Sequence, residues 1–430
     1  VPVESLAPSV DELRFGDLYK KEEYPVETED GWRLVITRYR PIKQTFKQPL
    51  LNQPILLVHG FTQNRHTWSA GEFVKNLLYF GVDVHILELR GHGKSSIRLQ
   101  RDLHRKEGRP LPADIDFDWD IDSYFLYDVP AAVKAVKDKS GQDQIFYCGH
   151  SMGGMIAYGY AGLRDDFLGL ITIGSPSELG KGFLPIQFAA WLDSLTPLAL
   201  GQLKLANGMR TAGFKLSQMF EKAVGTSGKG VPTPRPEPWE LRYLPFDYLL
   251  RSWGRIFTPM GTRGLTRLND RFPLLYNPKR VVPENILWLL TWGGEKEPLK
   301  VTRQFARWIR NNELKCYRTN YDFRANFDRI TIPIAIIFGD EDRLANLRST
   351  RAIYRKVSSE YLLWRPVRGN SHMELTMGHD IRQICYDIKN LMEYAITHKD
   401  KRPSLPRVGA DNKVRTDLQS RKARILRLVR

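Results

Sequence analysis

Cysteine is scarce in this chain, with three residues (Cys148, Cys316 and Cys385) in 430. An odd number with no C-x-x-C spacing excludes a disulfide framework and argues against a structural zinc site. Long apolar runs are missing as well. No stretch approaches the ~18 consecutive apolar residues of a membrane-spanning helix. The opening VPVESLAPSV has neither a basic n-region nor an apolar h-region, so it does not read as a signal peptide. A cytoplasmic location is expected, with peripheral membrane contact and export left open because the chain starts at Val1 rather than methionine. There is no internal repeat, and no low-complexity block apart from the C-terminal tail.

What is present is an ordinary globular balance: 42% hydrophobic, 26% charged and 11% aromatic residues. That excludes a mainly disordered or collagen-like protein. The net charge of +17 is unevenly spread, because residues 399–430 carry 11 Lys/Arg against 3 Asp, a surplus of +8. Ile425, Leu426, Leu428 and Val429 lie among arginines in this tail, a pattern suited to peripheral contact with an anionic membrane. No nucleic-acid recognition motif accompanies the charge, so no specific nucleic-acid partner is expected.

Short continuous apolar runs recur at residues 54–58, 84–89, 145–148, 168–173, 334–338 and 361–367, each bounded by turn residues. Runs of this kind are strands buried on both faces of a parallel sheet. Helical patterns at 129–139 and 381–397 lie between or after them, and residues 27–40 read as a hairpin turning at Asp30-Gly31. The expected fold is therefore α/β, a mostly parallel central sheet with helices on both faces. From 178 to 326 the alternation stops, and six of the ten tryptophans fall there. This stretch is expected to be a mainly helical cap inserted into the fold. The resulting division is 1–177 for the first part of the core with its lead-in, 178–326 for the cap, 327–398 for the second part of the core, and 399–430 for the basic tail.

The chemistry concentrates at the strand ends. Gly149-His150-Ser151-Met152-Gly153 is a G-x-S-x-G motif preceded by a strand and followed by a helical pattern, the context in which such a serine is exposed on a sharp turn. A serine hydroxyl needs a base, and the base needs an orienting acid. The strand at 334–338 runs into Gly339-Asp340-Glu341-Asp342, and the strand at 361–367 runs into Ser371-His372. Ser151, Asp342 and His372 thus follow one another as nucleophile, acid and base. Asp340, Glu341 and Glu178 are the alternative acids. The loop His59-Gly60-Phe61-Thr62 follows the first buried strand, and the backbone N–H groups of Phe61 and Met152 are the expected oxyanion hole. His59 is read as a structural residue of that loop. Arg90-Gly91-His92-Gly93-Lys94-Ser95 lacks phosphate-loop spacing and reads as a tight turn. The alternating carboxylates Asp114, Asp116, Asp118, Asp120 and Asp122 fit no calcium-loop register, and no metal or organic cofactor is expected.

HGFT, LRGHGKS, GHSMGG, GDEDRLA and Ser371-His372 together resemble the α/β-hydrolase superfamily over residues 25–177 and 327–397. The opening ETEDGWRL and the long insertion are also similar to the gastric and lysosomal acid lipases, although Met152 stands where those lipases usually carry a glutamine. The resemblance implies a serine hydrolase of carboxylic esters acting through an acyl-enzyme. Its partner is expected to be a small, lipid-like ester. The apolar segment 183–192 offers Phe188 and Trp191 as candidate pocket residues. An acyltransferase or peptidase on the same triad, or a ligand-binding homologue without turnover, are the alternatives.

Overall fold

The computed structural model describes residues 15–42, 50–115, 119–183, 187, 208, 212, 243–248, 250–251 and 276–401. Among these, eight strands form one sheet: β1 (Tyr19–Glu27), β2 (Arg33–Pro41), β3 (Pro54–Val58), β4 (Asp83–Glu88), β5 (Ile145–His150), β6 (Phe167–Ile173), β7 (Ile334–Gly339) and β8 (Leu362–Val367). Their order across the sheet is β1-β2-β4-β3-β5-β6-β7-β8. β2 runs antiparallel to β1 and β4, and the other pairs are parallel. Each apolar run singled out in the sequence is a strand. The hairpin is longer than the 27–40 stretch read from its turn signal, because β1 already begins at Tyr19.

The longer described helices are, in the core, α1 (Phe73–Tyr79), α2 (Ile97–Glu107), α3 (Val129–Ser140) and α4 (Met152–Leu163); in the insertion, α5 (Pro283–Trp292) and α6 (Leu299–Asn311); and in the second part of the core, α7 (Arg351–Lys356) and α8 (Ile381–Thr397). Ordinary signals bound them: Ser96 caps α2 by accepting from Leu99 N–H, and Gly108 and Gly141 end α2 and α3 in the left-handed conformation. Alternate residues of the strands feed two buried clusters. Leu56, Val58, Tyr147, Leu170 and Ile336 pack with α3 and α4, while Ile55, Leu57, Cys148, Ile171 and Ile337 pack with α1 and α8. A period of two on strands covered by helices on both faces produces this division.

The C-terminal part of the insertion joins the first cluster. Trp308 of α6 is buried there with Leu314, Cys316, Phe323 and Phe327. Arg90, fully buried, pairs with Asp128 at the start of α3 and with Asp30 at the β1–β2 turn. It ties the antiparallel edge of the sheet to a core helix. The polar end of the acidic run is also structural: Asp122 accepts from the N–H groups of Tyr317 and Arg318 and from Gln304 Nε2, and Asp120 accepts from Ser123 N–H. Among the described residues, no helix is long and apolar enough to cross a membrane.

Candidate active site

Ser151 occupies the one-residue turn between β5 and α4, at φ 51° and ψ −117°. Non-glycine residues avoid this region because the Cβ crowds the backbone, so the conformation must be imposed from outside. Ser151 N–H donates to Ile173 O at 2.9 Å, and its own carbonyl accepts from Gly154 and Met155 N–H at 3.1 Å each. The turn also depends on small neighbours. A Cβ on Gly149 would lie 2.4 Å from Gly154 N, and one on Gly153 2.5 Å from Val58 O. Gly60 of the loop after β3 comes close too, since a Cβ there would be 2.9 Å from Ser151 Cβ.

His372 and Asp342 leave the ends of β8 and β7, and their side chains meet at 2.8 Å, Nδ1 to Oδ2. Both are buried. The other oxygen of Asp342 accepts the N–H groups of Leu344 (2.8 Å) and Ala345 (2.9 Å), which fixes the carboxylate plane. Because that carboxylate accepts from Nδ1–H, the neutral imidazole carries its lone pair on Nε2. Burial alone would pull the His372 pKa down, but the Asp342 charge and hydrogen bond, with Glu374 behind them, raise it above the usual histidine value. Gly174, the residue after Ile173, lies against the ring: a Cβ there would be 3.2 Å from His372 Cε1. Ser151 and His372 therefore border the same turn at the end of β6.

The alternative acids are engaged elsewhere. Asp340 accepts from Gly369 N–H, Glu341 from Asn277 Nδ2, and Glu178 is paired with Lys181 and Arg324. His150, adjacent to Ser151, is pushed down to about 3 by burial and by the neighbouring His372.

The loop after β3 is held from several sides. His59 Nε2 accepts from Leu89 N–H at 3.2 Å, so its Nδ1 carries the proton and donates to Gly60 O at 2.9 Å. Gln63 closes the loop, with its N–H on Gly60 O and its Oε1 on Gly60 N–H. Among the described residues, nothing accepts from the N–H groups of Phe61 or Met152. Among the described residues no hydrogen bond joins the Ser151 hydroxyl to His372; the two share the Gly174 turn, and free backbone N–H groups and a buried Asp–His pair are groups able to stabilise an oxyanion and to move a proton.

Some residues of this region carry no local sequence signal. Glu295 and Glu297, from the insertion, reach the loop after β3: Thr62 N–H donates to Glu297 Oε1, and Asn64 Nδ2 donates to Glu295 Oε1. Glu374 accepts from Asn277 and Ser371 N–H, and burial pushes it up to about 7. Phe188 and Trp191, the candidate pocket residues, lie outside the described residues, as do Asp116, Asp118 and the tail beyond residue 401. Among the described residues, no group of three or more His, Cys, Asp or Glu is arranged to hold a metal ion.

The family described as alpha/beta hydrolase fold matches residues 53–213. Lipase member K of Mus musculus is 32% identical over 405 residues, covering 88% of this chain and 89% of that protein. The tear acid lipase-like protein of Mesocricetus auratus is 30% identical over 145 residues, covering 33% of this chain and 34% of that protein. A protein named putative lysosomal acid lipase/cholesteryl ester hydrolase, from Crotalus adamanteus, is 31% identical over 146 residues. This last similarity covers 33% of the chain and 34% of the relative. The chain thus spans about a third of the length of these last two relatives and most of the first.

Proposed function

The chain belongs to the α/β-hydrolase superfamily, and from that premise we propose that it is a serine hydrolase of carboxylic esters with an apolar acyl group. The observation that carries this reading is the buried 2.8 Å pair of His372 and Asp342 beside a serine held at positive φ. His372 Nε2 takes the Ser151 hydroxyl proton as Oγ attacks the ester carbonyl. The negative charge that forms on the carbonyl oxygen is met by the Phe61 and Met152 N–H groups. As the tetrahedral species collapses, the bond to the alcohol oxygen breaks, and His372 hands its proton to that oxygen. Water repeats the sequence on the acyl-enzyme, leaving the free acid and Ser151 in its starting form. Asp342 keeps the imidazole in the tautomer with Nε2 free and stabilises the imidazolium.

The names of the relatives support a lipid-like ester as substrate, and the basic segment 399–430 supports contact with an anionic membrane surface. The test is reaction with a fluorophosphonate probe and peptide mapping of the adduct, followed by hydrolysis of esters of increasing acyl length. Labelling of Ser151 and its loss in Ser151→Ala are expected. Hydrolysis at the wild-type rate by Ser151→Ala overturns the reading, and acyl transfer to an added alcohol in preference to water reassigns it to a transferase.

A further inference from the structure

Thr62, next to the Phe61 donor, has φ 59° although it is β-branched. A residue of this type stays in the left-handed region only where its surroundings over-determine it. Here both of its peptide groups are held by the insertion. Thr62 N–H donates to Glu297 Oε1 at 2.8 Å, and Thr62 O accepts from Glu295 N–H at 2.8 Å. On the other side of Phe61, the Gly60 carbonyl accepts from His59 Nδ1 at 2.9 Å and from Gln63 N–H at 3.3 Å. A trans peptide points its N–H opposite to its carbonyl, so the Phe61 N–H lies opposite the Gly60 carbonyl, while Glu297 holds the N–H of the next peptide; Phe61 is fixed between the two.

Glu297 is itself fixed. Its side chain is fully buried, and Oε1 lies 3.0 Å from His92 Nε2. His92 Nδ1 faces the Arg90 carbonyl at 2.9 Å, and a carbonyl can only accept. Nδ1 therefore carries one proton, and Nε2, facing the carboxylate, carries the other. Glu297 Oε2 accepts from Tyr124 OH at 3.4 Å, while its backbone bonds Leu244 in both directions at 2.8 and 3.2 Å. Burial would lower the His92 pKa, yet Glu297 and Glu295 hold it up at about 9.

We infer that Glu297 is a positioning residue for ester hydrolysis: ion-paired with His92, it reaches from the insertion to lock Thr62 and so fixes the far side of Phe61, keeping the Phe61 N–H set by the Gly60 carbonyl on the oxyanion. It acts through Thr62 and does not touch substrate. The inference rests on Phe61 serving as an oxyanion donor. A carboxylate that merely fastened the insertion to the sheet would affect stability and leave turnover per folded molecule unchanged.

The experiment compares wild-type chain, Glu297→Gln and Glu297→Ala, with Ser151→Ala as the inactive control. It measures kcat and KM on a soluble ester, and amide hydrogen exchange of the 59–65 segment. Glu297→Ala is expected to lower kcat about 10²-fold, the scale of losing one oxyanion donor, with KM changed less than about threefold and faster exchange at Thr62, whose N–H loses its acceptor. Glu297→Gln keeps an oxygen for Thr62 N–H, and its kcat is expected within about tenfold of wild type. Wild-type kcat in Glu297→Ala, or unchanged exchange, overturns the inference. Should Glu297→Ala fail to fold, Glu297→Asp keeps the charge opposite His92 but shortens the reach to Thr62. A lower kcat at constant KM then supports the inference, and an unchanged kcat overturns it. If wild-type chain hydrolyses no ester, the functional reading falls and the catalytic part of this inference falls with it. Faster exchange in Glu297→Ala would then still identify the clamp on Thr62.

Discussion

His150 and His372 lie ring against ring, with centroids 4.8 Å apart, and both are buried, yet their pKa values are driven in opposite directions. Burial pushes His150 down to about 3, whereas the carboxylate of Asp342 more than offsets burial at His372 and raises it. His150 Nδ1 meets the neutral side-chain oxygen of Gln63, while His372 Nδ1 meets a charge. Burial thus disfavours the charged form of one imidazole, and the carboxylate favours that of the other.

A pH profile follows from this contrast. The base must be neutral, so kcat/KM is expected to fall on acidification with a midpoint above the ordinary histidine value of ~6.5. Asp342→Asn removes the charge that raises His372, so the acid limb should move to lower pH, with a rate loss on the order of 10⁴-fold. Stability runs the other way. A raised folded-state pKa contributes stability below the unfolded value, and this is lost as pH rises through the folded one. The Tm advantage of wild type over His372→Gln should therefore shrink with rising pH while activity grows. An acid limb below pH ~6 in wild type would contradict the role given to Asp342.

The strain at Ser151 should be measurable. Ser151→Gly and Ser151→Ala both remove the hydroxyl, but only glycine accepts φ 51° without a steric penalty. Relief of ~1–3 kcal/mol of strain, offset by ~0.5–1 kcal/mol of extra chain entropy, leaves Ser151→Gly more stable than Ser151→Ala by about 1 kcal/mol. Paired denaturant titrations of the two variants check this. Equal midpoints would mean that the turn is not strained.

Gly153 and Gly154 should differ in whether their loss can be repaired. A Cβ at 153 would meet the Val58 and His59 carbonyl oxygens at 2.5 and 2.7 Å, both backbone atoms. Gly153→Ala is expected to destabilise by about 1–3 kcal/mol and to slow fluorophosphonate labelling of Ser151. A Cβ at 154 would meet chiefly the Ser175 side chain, at 2.1 Å from Oγ. Gly154→Ala should therefore be partly rescued by Ser175→Gly, and a double-mutant cycle would read the coupling. Additive losses in that cycle would refute the contact.

Patterns short enough to be complete within a few residues could be read along the chain. The strands were legible because a strand covered on both faces needs an unbroken apolar run, as in Ile334–Gly339 and Phe167–Ile173. The serine turn was legible because its steric demands fall on residues 149–154 themselves. The order of Ser151, Asp342 and His372 was also visible, since each follows a strand in the sequence.

Pairing across the fold was decided only by the tertiary structure. The sequence favours Asp342 over Asp340 and Glu341 only by its place further out on the loop, before Leu344; the geometry of the loop is what turns Asp342 toward His372 and leaves Asp340 on Gly369 N–H. His92 reads as part of a turn until folding brings Glu297 to within 3.0 Å of it, 205 positions further along the chain. Such contacts leave no periodicity to detect, because each depends on two distant segments reaching the same buried space. The buried apolar pattern of this chain was therefore set by its local sequence, whereas the charge states of His92, His150 and His372 were set by what folding placed beside them.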